Sequence, residues 1–116
     1  MFRLTIFKAY FIYTLYMKFY FYKIYHKDNI NEFYIGSTTN FSARKSKHKK
    51  TTTNKVSKKY WLRLYQYIRA NGGWDNFVME VIHEMELDNR TDARKEEQAL
   101  INILKPTLNT IRACGV

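Results

Sequence analysis

Two adjacent glutamates, Glu96 and Glu97, lie in a segment whose apolar residues Ala93, Leu100, Ile101 and Leu104 share one helical face. Taking 100° per residue from Leu100, Glu96 falls about 40° to one side of that face and Glu97 about 60° to the other. At least one carboxylate is therefore aimed near the interior. Half-buried acids are costly unless paired or metal-bound, so an acid there wants a cation. Periodicity does not say which glutamate it is. Earlier in the chain Arg44 and His48 stand four apart, on one face of a predicted helix. Arginine offers a permanent fork-shaped charge suited to a phosphate, and histidine offers a proton donor or acceptor near neutral pH. Tyr25 and Tyr34 sit on the two arms of a predicted hairpin just ahead of that helix.

The elements that must position these groups can be read from pattern. Residues 19–25 and 32–38 alternate and are rich in β-formers, and the polar turn His26 to Asn31 between them predicts an antiparallel hairpin. Thr39 or Asn40 caps a helix from Phe41 to about Lys50, and Thr51 to Asn54 reads as a loop. Ser57 then caps a second helix whose stripe Tyr60, Trp61, Leu64, Tyr65 and Ile68 is assigned to the core and stops at Asn71-Gly72-Gly73. Asn76 to Met85 alternates as a third strand. Thr91 or Asp92 begins a third helix that ends near Leu104, because Pro106 cannot continue it. The expectation is an α/β (α+β) fold, with a small central antiparallel three-stranded sheet flanked by about three helices.

The chain has 116 residues, of which 46 % are hydrophobic and 17 % aromatic, enough for one small domain and too many for a disordered tail. Residues 1–16 form an aromatic leader or extension, and residues 17–116 the domain. The leader's longest uncharged run, Ala9 to Met17, is about half of the roughly 20 residues a membrane span needs, which speaks against a membrane role. A lone Cys114 excludes a disulfide scaffold and favours a reducing, intracellular compartment. The formal charge is +10, and it is not spread evenly. Between Glu32 and Asp75 no acid occurs, while Arg44, Lys45, Lys47, Lys49, Lys50, Lys55, Lys58, Lys59, Arg63 and Arg69 all fall there. A single-sign segment inside a folded domain makes a positive face that attracts polyanions, with nucleic acid first among them.

Lys23-Ile24-Tyr25, Tyr34-Ile35-Gly36-Ser37-Thr38 nine residues on, Arg44 with His48, Glu97-Gln98-Ala99-Leu100-Ile101, and Lys105-Pro106-Thr107-Leu108-Asn109 occur in that order. Together they resemble the GIY-YIG nuclease domain, over about residues 19 to 109. The resemblance implies hydrolysis of a DNA phosphodiester with one divalent metal, Mg²⁺ or Mn²⁺. It implies that Tyr25 activates the water, that Tyr34 orders the phosphate or nucleophile, and that Arg44 and His48 stabilise and assist. It also implies that Glu97 binds the metal and that Asn109 supports the site through hydrogen bonds. Lys23 stands where the first motif has glycine, a departure in a strand residue rather than in a reacting group. Lys45, Lys47, Lys49, Lys50, Lys55, Lys58 and Lys59 are the expected nucleic-acid contacts. The expected partner is duplex or branched DNA, with targeting left to DNA structure, a second protein or a transient dimer. A viral, homing or repair-type role fits such a nuclease, and a non-catalytic binding module that keeps the fold is the alternative.

Overall fold

A computed structural model describes residues 16–109. The leader expected at residues 1–16 lies, but for Tyr16, outside the described residues, as does Cys114. Strand β1 (Met17–His26) turns through Lys27 and Asp28 into β2 (Asn29–Thr38). Helix α1 (Phe41–Thr53), helix α2 (Arg63–Ala70), a 3-10 turn (Trp74–Asn76), β3 (Phe77–Leu87) and α3 (Arg90–Leu104) follow. The strand order is β2-β1-β3 with both pairings antiparallel, so the expected three-stranded sheet and three helices are present among the described residues.

As the middle strand, β1 is covered on both faces, which is why its sequence reads as a nearly unbroken apolar run. Phe19 and Phe21 point to one face, where they pack with Ala93 and Leu100 of α3. Tyr22 and Ile24 point to the other, against Leu64, Tyr65 and Ile68 of α2. The change of face between the adjacent buried residues Phe21 and Tyr22 coincides with a register shift against β3, where Phe21 faces His83, Tyr22 faces Val81 and Ile82 is the extra residue.

The hairpin turn is tighter than expected, with the strands running to His26 and from Asn29 instead of leaving His26 to Asn31 as a loop, and α3 begins at Arg90, capped by Asn89, rather than at Thr91 or Asp92. Two helix boundaries differ further. Helix α1 continues to Thr53, and the buried Thr51 and Thr52 hydroxyls are satisfied within it by donating back to the carbonyls of Lys47 and His48, at 2.8 and 2.9 Å. Helix α2 starts at Arg63 rather than beside Ser57, whose hydroxyl instead accepts from Lys59 N within a turn. Trp61 therefore leaves the core stripe and is 66 % exposed. At the far end of α2, Gly72 and Gly73 adopt φ of 95° and 88°, open to glycine, and reverse the chain toward β3. No helix of the described residues is long and apolar enough to cross a membrane.

Candidate active site

The site is assembled on the sheet face that carries α1 and α2. Asn40 caps α1, its Oδ1 accepting from Ala43 N at 3.1 Å, and so fixes where Arg44 and His48 emerge one turn apart. The inward side of α1 is polar: His48, Thr51 and Thr52 are its buried residues. A polar group on such a face must find a partner, and His48 finds two. Its Nε2 lies 2.8 Å from Tyr22 Oη and its Nδ1 2.7 Å from Tyr65 Oη. Trp74 stacks on the imidazole at 6.2 Å and 14°, and the Tyr34 ring stands edge-on to it at 5.8 Å.

Tyr22 faces Gly36 across the β1–β2 ladder. A Cβ at position 36 would come within 2.6 Å of Tyr22 Cζ and 2.9 Å of Tyr34 Cε1, so only glycine lets the two tyrosine rings close over this point of the sheet. The ring centroids are 6.3 Å apart.

The electrostatics follow from burial around a fixed cation. Burial foremost, then the Arg44 guanidinium and the ammonium groups of Lys59 and Lys47, push His48 down to about 3, so the imidazole is neutral. A neutral imidazole has one N–H, hence one of the two tyrosines donates to His48 and the other accepts from it. Burial and then Tyr34 raise Tyr22 well above the ordinary phenol range, with Arg44 pulling the other way. Tyr65 is pushed up to about 12, again chiefly by burial. Tyr34 is raised by burial and then by the Glu97 carboxylate, against Arg44. Arg44 thus bears on every phenol of the group.

Helix α3 approaches β2 from the other side. Ser37 Oγ donates to Glu97 Oε1, and among the described residues no hydrogen bond or ion pair engages Oε2. Glu96, on the opposite flank of the helix, pairs with His83 at 3.4 Å. The glutamate whose charge reaches Tyr34 is therefore Glu97, which helical periodicity alone could not decide. Asn109 grips the outer edge of β2: its Oδ1 accepts from Ile35 N and its Nδ2 donates to Ile35 O, both at 2.8 Å.

The structure does not bring Tyr25 to this group. It stands three positions from Tyr22, and because strand side chains alternate, an odd offset puts it on the opposite face, half-buried. There burial and then Glu80 raise its hydroxyl. Tyr22 occupies the place expected of Tyr25. Lys23, the apparent departure from the motif, also faces away from Tyr22, with its ammonium 4.3 Å over the Phe33 ring. Tyr65 belongs to the group too, although its helical stripe reads as plain core. The signal that could have found it is its hydroxyl, since a tyrosine on an inward face needs a polar partner.

Lys45, Lys47, Lys49, Lys50, Lys55, Lys58 and Lys59 are all exposed. Lys45 and Lys49, with Ser42, Ser46, Trp74, Asp75 and Phe77, line an open cavity of about 490 Å³. Arg69 is different: it turns inward, donating to Thr52 O at 2.7 Å and Tyr60 O at 2.8 Å. Among the described residues no group of three or more His, Cys, Asp or Glu could hold a metal ion.

Residues 18–111 match the family model of the GIY-YIG catalytic domain. No curated protein and no solved structure matches the chain.

Proposed function

The chain belongs to the GIY-YIG catalytic-domain family, a family of nucleases, and from that premise we propose that it is a metal-dependent DNA endonuclease in which Tyr22, not Tyr25, activates the water. The observation that carries this reading is the convergence of Tyr22, Tyr34, Arg44 and His48 over Gly36, with Glu97 at the margin.

Hydrolysis of a phosphodiester requires that the anion be neutralised and that water lose a proton as it attacks phosphorus. Arg44 binds the non-bridging oxygens in a site whose burial strengthens each electrostatic contact. Tyr22 takes the proton of the attacking water while its own passes to His48 Nε2, 2.8 Å away, and Tyr65 accepts the N–H that His48 carries on Nδ1. In the empty site burial foremost, and then Arg44, oppose an imidazolium. A bound phosphate offsets the Arg44 charge, so the proton transfer costs less with substrate in place than without it. Tyr34 orders the phosphate beside Tyr22.

A divalent cation fits Glu97. The site offers a single carboxylate with one oxygen unengaged, which suits Mg²⁺ or Mn²⁺ keeping most of its waters better than a multi-ligand cage. Glu97 would hold such an ion, and the ion would supply positive charge where the phosphodiester is cut. On this reading the protein acts inside a cell, on duplex or branched DNA. Cut-site choice then rests on DNA structure, a targeting partner or a transient dimer.

The test is nicking of supercoiled plasmid with Mg²⁺ and with EDTA by wild type, Tyr22→Phe, Tyr25→Phe and Glu97→Ala, with binding gels run in parallel. Tyr22→Phe is expected to lose about 100-fold or more, Glu97→Ala to fall to background with binding intact, and Tyr25→Phe to cut normally. Full cutting by Tyr22→Phe would overturn the assignment. DNA shifted but never cut by wild type would leave a binding module.

A further inference from the structure

The loop from residue 54 to 62 presents two large apolar side chains to water: Val56 is 90 % exposed and Trp61 66 %. The loop is not slack. Val56 N donates to Asn54 Oδ1, Ser57 N to Asn54 O, Tyr60 N to Ser57 O and Leu62 N to Lys59 O. Gln66 Nε2 clamps Trp61 O at 2.7 Å. The indole stands edge-on to Tyr60 at 4.9 Å and 87°, and Tyr60 is itself fixed by Arg69, whose guanidinium lies 3.6 Å over its ring. The backbone and the ring angle are thus set while two-thirds of the side chain stays in solvent.

A tryptophan held in place by its loop and two-thirds exposed offers a flat ring on which another ring can stack. Lys55, Lys58, Lys59 and Arg63 surround it in sequence, and no acid occurs between Glu32 and Asp75. The partner that complements both features is a polyanion with apolar faces. In a paired duplex the faces of the bases are hidden in the stack, and an aromatic ring reaches them only where bases are unpaired or unstacked. The loop also borders the site, since the charge of Lys59 is felt at buried His48.

We propose that this loop is a stacking platform for unpaired nucleotides, with Trp61 covering a base at a fork, bulge or flap and Lys55, Lys58 and Lys59 holding the flanking phosphates. The inference rests on the nuclease reading and names its substrate class: DNA whose bases are unpaired close to the phosphate to be cut.

The test is affinity of the intact chain in EDTA, where nothing is cut, for a plain duplex and for a forked DNA of the same length. Wild type is expected to bind the fork more tightly. Trp61→Ala is expected to lose about tenfold on the fork with duplex affinity unchanged, and Trp61→Phe to retain most of the preference. Fork DNA should quench a part of the indole emission that is missing in Trp61→Phe, a readout that does not depend on the alanine variant folding. Equal affinity for both DNAs in wild type, or equal loss on both in Trp61→Ala, overturns the platform, and so does covering of Trp61 by another protein alone. A fork preference in a protein that never cuts would sink the nuclease reading and leave the platform standing.

Discussion

Burial and three neighbouring cations keep His48 unprotonated, with a value near 3 against the ordinary 6.5, and this ties stability to pH. Below pH 6.5 the unfolded chain takes up a proton that the folded chain refuses, so the stability present above that value is lost as pH falls toward 3. Denaturant melts between pH 6.5 and 5, above the range where ordinary carboxylates titrate, should show stability falling by up to about 1.4 kcal/mol per pH unit. His48→Gln should flatten that dependence, and an unchanged slope in the variant would remove the buried neutral histidine from the account. The residues at this scale were unevenly legible. Arg44 and His48 could be paired from spacing alone because both belong to one helix. The choice between Tyr22 and Tyr25 depended on which face of β1 each occupies, and a motif-like Lys-Ile-Tyr gives no sign of strand parity. The choice between Glu96 and Glu97 depended on where α3 crosses the sheet, which only packing decides.

At the level of elements, the corner between α1 and α2 shows one cation serving structure instead of substrate. Arg69 counts toward the positive segment in sequence, yet it satisfies Thr52 O in the last turn of α1 and Tyr60 O in the following loop. The carbonyls at a helix C-terminus lack intrahelical donors, and a guanidinium there also meets the negative end of the helix dipole. Arg69→Gln is expected to cost about 2 kcal/mol in thermal or denaturant unfolding, whereas Lys50→Gln, exposed in the same turn, should be close to neutral. Equal small effects would place Arg69 among the surface charges. The same corner explains why the sequence places the start of α2 too early. Ser57 is a good helix cap by composition, but its hydroxyl closes a local turn, and the Tyr60–Trp61 pair imitates the start of a helical stripe. Elsewhere β3 and α3 follow from periodicity and the hairpin from its β-formers, whereas α1, whose inward side is polar, is signalled by its cap.

For the whole molecule, the acid-free segment falls on α1, on α2 and on the loop joining them, so its exposed lysines flank the tyrosine–histidine group while the carboxylates of α3 approach from the other side of the sheet. Binding to DNA should therefore weaken steeply with salt, and Lys45→Gln and Lys49→Gln should each reduce the slope of log K against log salt by about one. An unchanged slope would show that α1 does not follow the phosphate backbone. The overall architecture was legible because three strands and three helices each carry their own pattern. The convergence of β1, β2, α1, α2 and α3 on one point was not, since it is a property of their packing. Strand β2 is an edge strand, and Phe33 O and Ile35 N and O, which would otherwise offer a template to a strand of another molecule, are taken by Leu108 N and the Asn109 carboxamide. Leu108 and Asn109 thus hem the sheet, so losing them would leave the edge of β2 open to self-association and fibre-like assembly.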